Sequence, residues 1–216
     1  MIEKLQQALL RAPIPWLYAV IEECPKFGIN TQNELASFLA QCAHESNEFN
    51  RLEENLNYSA GRLAQVSARF AANPEEKNIS LRMPNAIAIN VQRNPEALAN
   101  YWYDDANRGP KSKLGNIHPG DGWRYRGRGP IQITGLDNYK LLQKETGLEV
   151  LEHPDILLTP IPGIISACWY WKTHNLDAVD DDNDMRLETR RINGGEIGLQ
   201  DRQKLFNHIL MYLEAV

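Results

Sequence analysis

A glutamate at the tail of an apolar helix constrains this chain more than any other feature. Leu35, Phe38, Leu39 and Cys42 recur at steps of three and four, which turns one helical face inward. Glu45 follows Cys42 by three and Phe38 by seven, so it falls beside that buried stripe. A carboxylate there is costly unless it is neutral or paired. After it the apolar rhythm stops. Asn47 and Asn50 favour a chain reversal, and Leu52 to Ser59 reads as short extended structure that brings Glu53 and Glu54 back toward Glu45. The pattern allows two readings. A semi-buried carboxyl that keeps its proton and a solvated one that activates water are the tools of glycosidic hydrolysis, with Glu45 as acid and Glu54 as base. The same residues also suit a helix-end glutamate beside a solvated Glu-Glu pair.

At 216 residues the chain can bury one good core or two small lobes. Its net charge of −5 leaves no electrostatic footprint for nucleic acid and no basic block for anionic lipid, so a neutral or weakly charged substrate is expected. No apolar run approaches the roughly eighteen residues of a membrane span. Residues 1–13 carry charges within their apolar pattern, and no secretory signal is expected. Cys24, Cys42 and Cys168 lack CxxC spacing and read as buried free thiols of a reducing compartment.

The rest of the chain reads as a series of short helices. The first spans residues 2–11, and the second follows Pro15 and ends near Pro25 and Gly28. Thr31 with Glu34 forms a capping box for the helix leading to Glu45. Ser59 caps a helix that continues through Phe70 to Asn73, residues 72–94 are read as helical, and Pro95 opens a helix to Tyr103. Residues 104–129 form a long loop whose Trp123 and Tyr125 require packing or a ligand. Pro130 is read as a helix start, Ile164–Trp171 as the central core helix, and 185–192 and 199–213 as the last two helices.

Two metal patterns fail on their spacing. Starting an EF-hand at Asp180 puts Met185 where glycine is required and Arg191 where the bidentate glutamate belongs, so the run from Asp177 to Asp184 is a solvated turn. His44 and Glu48 depart from the two-histidine zinc pattern, and His44 is expected to pack beside Glu45 and orient it, or to be a core histidine. A lone buried glutamate would suit a lytic transglycosylase, a reading that Glu53 and Glu54 weaken.

Four separated motifs then carry a resemblance. Ala43-His44-Glu45-Ser46, the run from Glu54 through Tyr58 to Ala60, the block Trp123 to Tyr139 with its Gly127-Arg128-Gly129-Pro130-Ile131-Gln132 centre, and Ile192-Asn193-Gly194-Gly195 occur in that order in glycoside hydrolase family 19. The stretch from about Glu34 to Phe206 resembles the chitinase-like endolysins of that family. The resemblance implies a mainly α, lysozyme-like fold of two lobes with a small extended segment lining a cleft, and an inverting mechanism. It makes residues 1–216 a single catalytic domain without a wall-binding module. Glu45 matches the general acid. Glu54, nine residues on, matches the base of the endolysin branch, while plant chitinases carry theirs after a longer insertion. Thr134 matches the hydroxyl that helps hold the attacking water. Gln132, Asn138 and Asn193 match sugar-binding positions, Arg202 a basic cleft residue, and Tyr58 a cleft-lining ring.

Amide and hydroxyl side chains at 132, 134, 138 and 193 suit an uncharged acetamido sugar, and the chemistry requires no metal or organic cofactor. An inverting pair needs about 6.5–9.5 Å between carboxyls to admit a water. The expected partners are the glycan strands of peptidoglycan, or chitin oligomers, with no nucleic acid and no stable membrane association. An endolysin would wait as a monomer in the host cytoplasm until a separate membrane-permeabilising protein admits it to the wall. A chitinase, or a non-catalytic sugar-binding protein on the same scaffold, are the alternatives.

Overall fold

The structure is a computed structural model that describes residues 1–176 and 185–215. The acidic run from Asp177 to Asp184 lies outside the described residues. Among those described the chain is mainly helical and forms two compact units. One comprises Met1–Glu53, Gly127–Ile133 and Tyr139–Val216, the other Glu54–Arg126 and Thr134–Asn138.

In the first unit, α1 (Ile2–Ala8) and α2 (Ile14–Glu23) lead through a 3-10 turn to Gly28, whose φ of +77° closes it. The Thr31 hydroxyl then accepts from the Glu34 N–H while the Glu34 carboxylate accepts from the Thr31 N–H, the capping box expected from the sequence. Helix α3 (Gln32–Ser46) buries Leu35, Phe38, Leu39 and Cys42. It packs along the last helix, Leu199–Glu214, and sets Phe38 edge-on to Trp171, ring centroids 5.5 Å apart, on the core helix Pro160–Thr173. Burying each such side chain stabilises the fold by roughly 1.5–3 kcal/mol. Helix α2 lies against that core helix at Gly163, where any Cβ would fall 2.5 Å from the Trp16 ring. Cys24, Cys42 and Cys168 are free and buried in this core.

The second unit builds a smaller core from Leu56, Leu63, Phe70 and Leu98, with Trp102 packed edge-on to Phe70 at 5.1 Å. Helix α4 (Ala60–Val66) starts at Ser59, whose hydroxyl accepts from Arg62 N, and α5 (Ala86–Val91) and α6 (Pro95–Trp102) follow. Helix α7 (Asp121–Arg124) approaches α6 so closely that a Cβ at Gly122 would stand 2.4 Å from the Ala99 carbonyl. The long loop between them is ordered from within. Buried Asp105 accepts from Leu114 N and Gly115 N, at 2.7 and 3.0 Å.

Four expectations are corrected. The helix from Ser59 stops at Val66, because Ser67 turns extended and caps a separate 3-10 turn, Ala68–Phe70. Within residues 72–94 the α-helix is confined to Ala86–Val91, with a 3-10 turn at Ile79–Leu81. Before that helix, Ala72 N pairs with Met83 O and Asn85 N with Phe70 O, so the backbone groups are met across a loop. Pro130 opens no helix. Gly129 and Gln132 take φ of +85° and +50°, folding Arg128 and Ile133 into a mutual backbone pair, and α8 (Leu136–Thr146) starts six residues later. The core helix, α9 (Pro160–Thr173), begins at Pro160, since the N–H groups missing from Pro160 and Pro162 are ones a first turn leaves unbonded. Helices α10 (Met185–Asn193) and α11 (Leu199–Glu214) match expectation closely.

Candidate active site

Glu45 occupies the last turn of α3 with its side chain 26% exposed. The sequence reading supposed apolar neighbours that keep it neutral; the structure instead gives it a charged one. Arg202, on α11 and only 1% exposed, donates from Nη2 to Glu45 Oε1. Its Nη1 donates to Gln41 Oε1 at 2.5 Å, and Gln41 Nε2 donates to Glu188 Oε2 at 2.9 Å. Glu188, on α10 and buried, also accepts from the Ser37 hydroxyl at 2.7 Å. A guanidinium can only donate and an ionised carboxylate only accept, so the amide of Gln41 has one orientation that satisfies both. Ser37, Gln41 and Glu45 stand four apart, a polar stripe running beside the apolar one on the same helix.

The helix ends abruptly after Glu45. Asn47, Glu48 and Phe49 all take positive φ, 50°, 54° and 63°, a strained run for residues with side chains. It is held from several directions. Ser46 Oγ accepts from Phe49 N, Glu48 N donates to Ala43 O, and Phe49 stacks on Trp16 with centroids 5.4 Å apart. The Glu48 carboxylate accepts three times from Arg11, once from its backbone, which commits it elsewhere than to a zinc site with His44. The His44 ring rests on Gly198, where a Cβ would be 2.4 Å from Nε2. Burial and then the Arg202 charge hold its pKa below the usual histidine value.

Glu54 belongs to the second unit and has a different kind of partner. The Tyr103 hydroxyl donates to its Oε2 in a short hydrogen bond. Burial, then the Glu54 charge and this bond, push the Tyr103 pKa far up, so the phenol keeps its proton and acts as donor. Tyr103 is itself fixed, because its carbonyl accepts from Asn116 Nδ2 at 3.0 Å while Asn116 Oδ1 accepts from Leu136 N at 2.9 Å. The neighbouring Glu53 pairs through its backbone with Arg128 in the first unit.

Other predicted residues are placed as follows. In the second unit the Thr134 carbonyl accepts from Asn138 Nδ2 at 2.8 Å, with Thr134 half-buried and Asn138 exposed. Tyr58 lies half-buried beside Trp102, centroids 6.3 Å apart. In the first unit Gln132 donates from Nε2 to Gly129 O at 2.9 Å, and the backbone of Asn193 ends α10, its side chain lying outside what the structure describes. Arg202, expected as a basic cleft residue, is buried and donates to Glu45. Sequence reasoning missed Tyr103, Gln41 and Glu188. The four-residue spacing of Ser37, Gln41 and Glu45 was the available signal for Gln41; Tyr103 and Glu188 had none, since both meet their partners only across the fold.

Comparison with known proteins agrees with this architecture. The family model described as "Chitinase class I" of glycosyl hydrolase family 19 matches residues 106–180. A "Glycosyl hydrolase family 19 domain-containing protein" of Haemophilus influenzae is 38% identical over 195 residues, covering 89% of this chain and 86% of that protein. An Arabidopsis thaliana endochitinase is 35% identical over 91 residues, 42% of this chain and 31% of the plant protein. Among solved structures, a bacterial family 19 chitinase superposes with a TM-score of 0.64 at 20% identity, covering all of this chain and 95% of that one. Chitinase C of Streptomyces griseus gives 0.62 at 19% identity, covering all of this chain and 77% of its own. Similarity that spans most of both bacterial sequences, on the shared helical fold, places this chain in glycosyl hydrolase family 19, as an enzyme that hydrolyses glycosidic bonds.

Proposed function

We propose that the protein is a peptidoglycan hydrolase of the endolysin type, cutting the glycan strand by inversion with Glu45 as general acid and Glu54 as general base. The observation that carries the assignment of roles is the split in how the two carboxylates are held. Arg202 holds Glu45 through Oε1 alone, and Oε2 has no hydrogen-bond partner among the described residues. Oε2 is therefore the oxygen that carries the proton to the leaving group. Glu54 accepts from a phenol that stays protonated, an arrangement that suits a carboxylate waiting to take a proton from water. Thr134 orients that water, while Tyr58, Gln132, Asn138 and Asn193 bind acetamido sugars. Arg202 acts as a positioning residue.

Two points support the wall polymer as substrate. The relative that aligns over nearly the full length is bacterial, whereas the Arabidopsis endochitinase aligns over less than half of this chain. The nine-residue step from Glu45 to Glu54 also lacks the longer insertion of plant chitinases. The enzyme would act on peptidoglycan after a membrane-permeabilising partner admits it to the wall, working as a monomer. The fold of the chitinases it superposes on favours chitin oligomers as the second reading.

Mass spectrometry of fragments from purified peptidoglycan and from chitin hexamer tests both. Soluble muropeptides with a newly formed reducing end are expected from peptidoglycan. Fragments from chitin alone would transfer the assignment to the second reading, and full wall clearing by Glu45→Gln would remove Glu45 as acid.

A further inference from the structure

Within the second unit two guanidinium groups converge on one oxygen. Arg69, in the 3-10 turn Ala68–Phe70, donates from Nη1 to the Trp102 carbonyl at 3.4 Å, and Arg108 donates from Nη1 to the same carbonyl at 3.2 Å. Arg108 is braced further, by Nε on the Ser112 carbonyl at 2.5 Å. Among the described residues neither guanidinium forms an ion pair. Asp105, whose charge reaches Arg108, keeps its carboxylate on the N–H groups of Leu114 and Gly115. Burial first, and then the charge of Arg69, press the Arg108 pKa below its usual value. Both side chains are half-buried, so water screens the repulsion only in part.

A fold that holds two cations together without a counter-charge has built half of an anion site. A single carbonyl oxygen offers each guanidinium one weak bond, and among the described residues no carboxylate pairs with the remaining donors of either. The carbonyl they share belongs to the residue before Tyr103, which donates to Glu54. The surroundings suit an anion too, since this unit carries ten lysines and arginines against eight aspartates and glutamates in a chain of net charge −5.

We propose that Arg69 and Arg108 together bind a carboxylate of the substrate, the acidic peptide stem that peptidoglycan carries and chitin lacks. This rests on the reading of peptidoglycan as substrate and names the group on it that is recognised. An acetamido sugar backbone offers no anion to such a pair, so the site contributes nothing to the hydrolysis of neutral oligomers.

The test compares kcat/KM on three substrates: intact peptidoglycan, the same glycan after an amidase has removed its stems and the lactyl carboxylates thereby exposed have been amidated, and chitin hexamer. Arg69→Glu places a carboxylate of the chain's own against Arg108. It is expected to lower kcat/KM on intact peptidoglycan at least tenfold, mostly through KM, while the other two substrates stay within twofold. Arg69→Gln should lower it about threefold on the same substrate alone. An equal fall on stem-free glycan, or no fall on intact peptidoglycan, overturns the proposal. If Arg69→Glu fails to fold, the wild type decides the matter. Its preference for intact over stem-free strands should shrink at least fivefold between low and high salt, and a preference that salt does not change overturns the proposal. Wild-type enzyme that cuts chitin but neither form of peptidoglycan defeats the substrate reading itself, a result distinct from a variant that loses no selectivity.

Discussion

The two carboxylates of this enzyme are held by opposite devices. Glu45 ends a long capped helix in the larger unit and is tied to a buried cation, which is tied in turn through Gln41 to the buried Glu188. Glu54 sits on irregular chain in the smaller unit and is tied to a neutral phenol, fixed from behind by Asn116. An ion pair set in a helical core resists reorientation, because moving either partner strands a charge. A phenol donor holds direction without adding charge of its own. On the proposed roles, an ion pair holds the carboxyl that delivers a proton and a neutral donor contributes to holding the one that receives it.

Removing the proposed acid should show the largest effect. Glu45→Gln is expected to lower kcat by a factor on the order of 10²–10⁴, the usual range for general acid–base catalysis, and to lower Tm as well, since it leaves the buried Arg202 guanidinium without its carboxylate. Next comes its cation. Arg202→Met strips Glu45 of its partner and leaves Gln41 with an unmet acceptor in the core. Loss of one member of a buried pair costs about 3–5 kcal/mol. Because Glu45 is 26% exposed and partly screened by water, about 2–3 kcal/mol of unfolding free energy is expected to be lost in urea titration. A variant as stable as wild type would show that the pair is ornamental, and the contrast between the two carboxylates would fail with it.

On the other side, Tyr103→Phe removes one hydrogen bond from Glu54 and nothing from the packing. It should cost about 1 kcal/mol of stability and lower kcat about tenfold, KM staying within twofold. A fall as steep as that of Arg202→Met would place both carboxylates under equal restraint.

The smallest effect concerns His44, whose folded pKa lies below its unfolded value. Between the two values the unfolded chain binds more protons, so stability is full above about 6.5 and declines as pH falls through the folded pKa. Replacement by Gln should flatten that decline, measured as Tm against pH; an unchanged slope would assign it to other groups.

Some of this was readable from residue order. The capping box at Thr31 and Glu34, the three-and-four spacing of Leu35, Phe38, Leu39 and Cys42, and the asparagines after Glu45 located the helix, its buried face and its end. Helices α9, α10 and α11 were visible through apolar period and punctuation in the same way. Where local signals were ambiguous the reading failed. Pro130 looked like a helix start, yet positive φ at Gly129 and Gln132 turns it into a reversal, and of residues 72–94 only α5 presents an α-helical face, the segment before it closing a loop.

Residue order alone thus determined the helical character and the punctuation of the chain, because capping, periodicity and turn chemistry act over a few residues. Tertiary structure alone decided what each glutamate touches. Arg202 reaches Glu45 from 157 positions away and Tyr103 reaches Glu54 from 49, and the four-residue stripe of Ser37, Gln41 and Glu45 acquires meaning only when Glu188 and Arg202 arrive against it. Local patterns specify which groups lie on a face, but the sign of the charge opposite that face is set by whichever distant segment packs there.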